Sequence, residues 1–562
     1  MELHGIGIGE GVAIGPVARM AEPLPEPVDR PSHLDPAREG ERATASLSVV
    51  AAELQRRGTQ AGGAARDILE AQAMMAEDVT LADDITARLA DGKTAERAVY
   101  EAFASFRDLL IGMGGYMAER ATDLDDVSQR VIAHLLRLPA PGIPNPGHPF
   151  VLVARDLAPA DTALLDLDQV LGLITTDGGP TSHTAILARE KSIVAVVGAA
   201  DAGTLGDGDQ VIVDAAGDIV IASPTEEQLA DARQRIAERA QRAAAPIGPG
   251  SLADGTAVPL LANLGSAAGA AEAVAAGAEG VGLFRTEFLF LDSQSAPTVR
   301  EQQEQYTKLL SAFGGRKVVA RVLDAGADKP LSFLNDAPEE NPALGLRGIR
   351  ALRHTETILR EQLTALAAAD AAPDAELWVM APMVATVEEA RYFTALAKEL
   401  GIRTAGVMVE VPSAALLADR VLRETDFASI GTNDLTQYTM AADRLLGTVA
   451  NFQDPWHPAV LRLVAEVGAA GRATGKPVGI CGEAAADPLL AVVLVGLGAT
   501  TLSMSPSALA DVRASLARFT LDDAVALAEA ALAADGAPEA KAAAKSVAAE
   551  RTAGRLPASA TP

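Results

Sequence analysis

The sequence predicts a multidomain α/β protein: an N-terminal α/β domain with a nucleophilic histidine, an inserted helical bundle, a linker helix and a C-terminal (β/α)8 barrel. Three observations carry this. After residue 255, short apolar runs of strand length alternate with helical stretches eight times, the number of βα units a closed parallel barrel needs. Residues 34–140 keep a helical apolar period instead. Between these regions a glycine-rich turn runs into a helix at Gly178-Gly179-Pro180-Thr181-Ser182-His183-Thr184.

Composition narrows the classes. The 562 residues are 49% hydrophobic and 22% charged, enough to bury sizeable cores. Aromatics make up only 3%, so alanine, valine and leucine must fill them. A net charge of -28 disfavours nucleic acid and anionic membrane surfaces as partners and leaves room for a basic protein. The single cysteine, Cys481, cannot form an intramolecular disulfide and suits a reducing cytoplasm. The start at Met1-Glu2-Leu3-His4 has neither the basic nor the apolar part of a signal peptide. The uncharged stretch from Pro488 to Ala510 is broken by Gly496, Gly498 and Pro506. It reads as a short helix and a strand, with no direct membrane insertion.

In chain order, Gly5 to Gly15 alternates glycine with apolar residues and suggests a short strand pair. The bundle faces are Leu47, Val50 and Leu54; Val99, Phe103 and Phe106; and Val127, Val131 and Leu135. His134 is expected in that core. From Val151 the pattern turns to α/β, with runs at 151–154, 170–174 and 193–197 and a hairpin-like pair at 211–213 and 219–221. The N-terminal strands cannot bury a core alone. Residues 1–30 and 144–222 are therefore read as one domain, with the bundle 34–140 inserted in it. Residues 223–248 read as a charged linker helix without a convincing apolar stripe, able to pivot at its ends.

Within the Gly-Gly turn, Thr181 and Ser182 suit a helix N-cap. His183 then lies near free N–H donors and the positive end of the helix dipole, where an anion is favoured. A lone histidine at a helix start more often caps or packs. The glycines and the Thr-Ser-His-Thr frame favour a ring that accepts phosphate instead.

The barrel, 251–535, has expected strands at Val258–Asn263, Gly280–Phe284, Val318–Leu323, Leu377–Met380, Ala405–Val409, Phe427–Ile430, Pro477–Ile480 and Thr500–Met504. Chemistry collects at their C-terminal ends, where barrel active sites lie. Arg285, Arg321 and Arg444 are planar donors for phosphate or carboxylate oxygens. Glu410 and Asp434 lie on adjacent strands and suit Mg²⁺, which takes one or two carboxylates plus substrate oxygens. Cys481 can donate a proton, although a lone cysteine is as often a small buried hydrophobe. Residues 536–562 read as a flexible tail.

These motifs resemble enzyme I of the bacterial phosphotransferase system. The likeness spans nearly the whole chain to about residue 510, through Gly178-Gly179-Pro180-Thr181-Ser182-His183-Thr184, Gly280-Val281-Gly282-Leu283-Phe284-Arg285-Thr286-Glu287, Asn341-Pro342-Ala343-Leu344-Gly345-Leu346-Arg347, Met408-Val409-Glu410-Val411-Pro412, Gly431-Thr432-Asn433-Asp434-Leu435-Thr436-Gln437-Tyr438 and Cys481-Gly482-Glu483. The resemblance implies that His183 is phosphorylated on Nε2. It implies that Arg285, Arg321, Arg444 and the Asn433–Asp434 region hold phosphoenolpyruvate, that Glu410 and Asp434 ligate Mg²⁺, and that Cys481 protonates the enol carbon. It also implies that the bundle binds the carrier protein HPr and that the barrel forms a homodimer. Two positions depart from the family pattern: Pro180 replaces a usual basic residue, and Leu445-Leu446 replaces Gly-Asn. A pyruvate phosphate dikinase or phosphoenolpyruvate synthase shares this chemistry but would need a nucleotide-binding domain, for which the chain shows no Gly-rich loop. A non-catalytic regulatory phosphoprotein need not retain the arginines, both acids and the cysteine.

Overall fold

In a computed structural model of the chain, all residues are described except 10, 22–23, 62, 114, 139–141, 145, 158–164, 166–168, 180–183, 186–187, 189–192, 245–246, 292–294, 326–330, 332, 335–338, 371–374, 445–448, 450–451 and 554–562. The chain divides into two compact units, Met1–Ile236 and Ala237–Pro562.

Unit 1 is built on a sheet of β1 (Glu2–His4), β2 (Ile6–Ile8), β3 (Val12–Arg19), β4 (Phe150–Ala154), β5 (Val170–Thr175), β6 (Ala195–Val197), β7 (Gln210–Asp214) and β8 (Ile219–Ala222). Its order is β1-β8-β7-β3-β4-β5-β6-β2. The N-terminal strands pair with the later segment, as the burial argument requires. They do not form the expected strand pair, because β2 lies antiparallel to β6 while β3 pairs with β7 and β4. Alternation alone does not choose a partner, and here β2 and β3 sit at separate places in the sheet.

Strands β3 and β4 are parallel neighbours, and a parallel pair needs a long crossover. The bundle supplies it: α1 (Pro36–Ala61), α2 (Gly63–Ala76), α3 (Val79–Ala90), α4 (Ala95–Met113) and α5 (Gly115–Leu136). Leu54, Val99, Phe103, Val127 and Val131 meet in its core. His134 is not in that core. It is exposed, and its Nδ1 lies 2.9 Å from the Ser46 hydroxyl; the apolar stripe passes beside it. The linker helix is α6 (Glu226–Ala244), and the division between units falls inside it. Contrary to expectation its first half has an apolar stripe: Leu229 and Ala232 pack on Ile212. Arg235 also grips both oxygens of Asp214 at 2.6 and 2.9 Å.

Unit 2 is a closed parallel barrel of β9 (Leu260–Leu264), β10 (Gly280–Arg285), β11 (Lys317–Arg321), β12 (Glu376–Ala381), β13 (Thr404–Val409), β14 (Ala428–Ile430), β15 (Val478–Ile480) and β16 (Thr501–Met504), with β16 returning to β9. Each strand falls within two residues of its expected start and end, because strands covered on both faces read as apolar runs. Capping boxes at Thr298/Glu301 and Thr386/Glu389 start two of the outer helices. Pro488 to Ala510 resolves into the helix Pro488–Leu497 and β16. Among the described residues no helix is long and apolar enough to cross a membrane. The expected flexible tail is instead helical over Ala537–Ala553, with Ala540 and Ala544 fully buried against the barrel's outer layer. Alanines spaced by four make an apolar stripe, but one that contrasts little with an Ala-rich background.

Candidate active site

The strand ends deliver a buried charge network to the C-terminal mouth of the barrel. Arg321 closes β11 and is buried. Its guanidinium meets Glu287 Oε1 and Asp324 Oδ2, each at 3.0 Å. Arg347 arrives from the loop after β11 and joins two acids. Its Nε and Nη2 donate to Asp324 at 3.2 and 3.1 Å, and its Nη1 and Nη2 donate to Asp434 at 2.9 and 3.3 Å. Arg444 adds a bond to Asp434 Oδ2 at 3.3 Å. Burial works against charge on both buried arginines, yet the surrounding carboxylates hold them firmly protonated. Burial likewise opposes ionisation of Asp324, but Arg321 and Arg347 win and hold it below the usual carboxylate range.

Glu410 is the exception. It follows β13, is fully buried, and is pushed up to about 8 by burial and by the neighbouring charges of Asp434 and Asp324. Its Oε1 accepts from the Met383 N–H at 2.6 Å, whereas its buried Oε2 has no partner among the described residues. Met383 holds a left-handed φ of 57°, a conformation costly for a non-glycine residue, and so aims its N–H at the acid. An orphan carboxylate oxygen beside a second acid, in a site rich in arginines, fits a divalent cation. Among the described residues no three metal-ligating side chains converge, so such an ion would complete its shell with substrate oxygens and water.

Asp434 and Asn433 belong to the helix Thr432–Met440, which starts directly after β14. Asn433 Oδ1 accepts from the Glu483 N–H at 3.0 Å, tying two strand-end loops together. Glycines let these loops approach. A Cβ at Gly482 would fall 1.8 Å from Thr432 Oγ1, and one at Gly431 would fall 2.7 Å from Glu410 Oε2.

Cys481 follows β15 and is buried, and its thiol donates toward the Ile430 carbonyl at 3.5 Å. Burial pushes it up to about 11, so it carries its proton at neutral pH. Asn263 fixes its backbone: Nδ2 donates to the carbonyls of Cys481 and Ser503 at 3.2 and 3.3 Å, and the Ser503 hydroxyl donates back to Oδ1 at 2.5 Å. Arg285 ends β10, exposed and without an ion-pair partner among the described residues. It remains available to a ligand anion.

The structure therefore gathers Arg321, Glu410, Asn433, Asp434, Arg444 and Cys481 in one region. It adds Glu287, Asp324, Arg347 and Asn263, which the sequence reading did not single out. The strand-end rule that found Arg321 applies equally to Glu287 and Asp324. His183, Pro180 and Leu445-Leu446 lie outside the described residues. Next to His183, Thr184 is fully buried; its hydroxyl donates to Asp156 Oδ1 at 2.7 Å and accepts from the Leu157 N–H at 3.1 Å.

Three sequence families cover most of the chain: the phosphoenolpyruvate-binding domain of phosphoenolpyruvate-utilising enzymes over residues 239–521, their N-terminal domain over 4–120, and their mobile domain over 146–217. A phosphoenolpyruvate-protein phosphotransferase from Streptomyces coelicolor is 53% identical over 551 residues, covering 97% of this chain and 99% of its own. The chain belongs to the phosphoenolpyruvate-protein phosphotransferase family. More distant phosphoenolpyruvate-protein phosphotransferases are those of Haloferax volcanii, 40% identical over 95% of this chain and 97% of its own, and Bacillus subtilis, 37% identical over 93% and 95%.

Proposed function

We propose that this enzyme moves the phosphoryl group of phosphoenolpyruvate to Nε2 of His183 and then to a histidine of the carrier HPr. Pyruvate is released, and the reaction is the first step of sugar phosphotransfer. The observation that carries the reading is the buried network at the barrel mouth, where Arg321 and Arg347 lie among acids beside the orphan oxygen of Glu410. Arginines placed where phosphoryl charge spreads stabilise it in flight. Arg285, Arg321 and Arg444 would hold the phosphate and carboxylate, and the Asn433–Asp434 segment would set the substrate's register. Glu410 and Asp434 would hold Mg²⁺, which supplies charge neutralisation at the phosphoryl oxygens.

Neutral His183 attacks phosphorus in line; the P–O bond breaks and leaves the enolate of pyruvate. Cys481 gives its proton to the enolate carbon, which draws the transfer forward. His183 belongs to unit 1 and the barrel to unit 2. The histidine must therefore visit the barrel to load and leave it to deliver, and α6 is the connection about which it moves. The bundle offers the carrier its docking face. The enzyme works in the cytoplasm, as a homodimer joined through the barrel.

The test is incubation with ³²P-labelled phosphoenolpyruvate and Mg²⁺, without nucleotide. Acid-labile label should appear on the protein, vanish in His183→Ala, and pass onward only when HPr is added. Failure of the unmutated chain to take label, or label on another residue, would overturn the reading.

A further inference from the structure

Cys481 can protonate only one enolate before it must be refilled. While substrate or product fills the C-terminal mouth, refilling needs another route. The opposite end of the barrel offers one. A cavity of about 20 Å³ opens there and runs inward past Lys317 and Trp378 to the hydroxyls of Ser429, Thr501 and Ser503. That is more than the 10–15 Å³ or so that one ordered water occupies, and the lining offers polar partners. Lys317 begins β11 with its ammonium 4.4 Å from the Trp378 ring centre, which keeps this entrance polar. Two glycines hold the bore open. A Cβ at Gly282 would fall 2.4 Å from the Ser503 Cβ, and one at Gly479 would fall 2.8 Å from Thr501 Oγ1. At the inner end lies the buried Ser429 hydroxyl: Ser429 pairs with Gly479 across β14 and β15, and Cys481 follows two residues after Gly479, on the same face of the barrel wall.

We propose that Ser429 is a proton-relay residue, refilling Cys481 from solvent through the N-terminal end of the barrel while the substrate end stays covered. The proposal rests on the reading of Cys481 as the acid. The enolate carbon takes the proton from Sγ and leaves a thiolate. Ser429 O–H donates its proton to that sulfur as its oxygen takes one from a cavity water. The hydroxide left is neutralised by a proton from bulk solvent at the Lys317 end. No electrons change hands, and each cycle consumes one solvent proton, the one that ends on the pyruvate methyl. The high proton affinity of the buried thiol favours refilling at neutral pH.

The test uses the enzyme alone, with Mg²⁺, phosphoenolpyruvate and saturating pyruvate in D₂O. Two exchanges run together: ¹⁴C passing between pyruvate and phosphoenolpyruvate reports phosphoryl chemistry, and deuterium entering the pyruvate methyl reports exchange of the Cys481 proton with solvent. In the unmutated enzyme deuterium wash-in should keep pace with carbon exchange. In Ser429→Ala the thiol returns the same proton, so wash-in per carbon exchange should fall at least fivefold; Ser429→Thr, which keeps the hydroxyl, should restore the ratio. A merely structural serine would slow both exchanges together. An unchanged ratio in Ser429→Ala would overturn the relay, whereas full carbon exchange in Cys481→Ala would overturn the underlying reading of the acid.

Discussion

Replacing Arg347 with methionine should weaken the barrel and its chemistry together. The side chain is 6% exposed and makes two hydrogen bonds to each of Asp324 and Asp434. Methionine keeps much of the volume and removes the charge. Taking one partner from a buried ion pair costs about 3–5 kcal/mol. Here Asp324 keeps Arg321 at 3.0 Å and Asp434 keeps Arg444 at 3.3 Å, which places the loss near the lower end, about 3 kcal/mol. For a unit of this size that corresponds to roughly 4 °C in the barrel transition, while the transition of unit 1 stays put. Burial raises the Asp324 carboxyl, but Arg321 and Arg347 outweigh it and depress the folded value. Their stabilisation is present above the unfolded value, about 3.9, and is lost as pH falls through the folded one. The gap between Arg347→Met and the parent should thus be full at pH 7 and shrink below about pH 4. Calorimetry at pH 7 and again at about pH 3 gives the stability, and pyruvate release gives the activity, expected to fall on the order of 10²–10³-fold. A barrel transition within 1 °C or so of the parent at pH 7 would refute the reasoning, since it would mean the bridge contributes no more than a surface pair.

Three further outcomes follow from the same geometry. Glu410, pushed up to about 8, holds its proton at pH 7. Mg²⁺ binding should therefore release a proton, and its affinity should fall as pH drops below that value; titration calorimetry in buffers of different ionisation enthalpy should show the release and lose it in Glu410→Gln. Gly482→Ala forces a Cβ to 1.8 Å from Thr432 Oγ1, so pyruvate formation should drop by tenfold or more, the cost of about 1.4 kcal/mol of lost positioning, with the fold retained by circular dichroism. Ala544→Asp places a charge at a fully buried point of the C-terminal helix; hydrogen exchange over 537–553 should rise sharply, and unchanged protection would show that the helix does not depend on that packing.

The barrel was legible because strands buried on both faces leave uninterrupted apolar runs, and the eightfold rhythm then fixed where the chemistry must lie. Arg321, Glu410, Asp434 and Cys481 were found that way. Arg347 was harder to place. It sits 23 residues from Asp324 and 87 from Asp434, and only the closed barrel brings them together. Arg285 and Arg321 look alike in sequence, yet one is exposed at its strand end and the other is buried among acids. The strands β2 and β3 were visible as strands while their partners were not, because pairing across the inserted bundle leaves no local signal. The C-terminal helix escaped notice because alanine fills both its buried and exposed faces.

The most direct measurement is a rapid-quench single turnover that counts pyruvate and phosphohistidine in the same sample. One pyruvate should form for each phosphoryl group on His183, with equal time courses. Pyruvate appearing with free phosphate, or ahead of any label on His183, would contradict direct transfer.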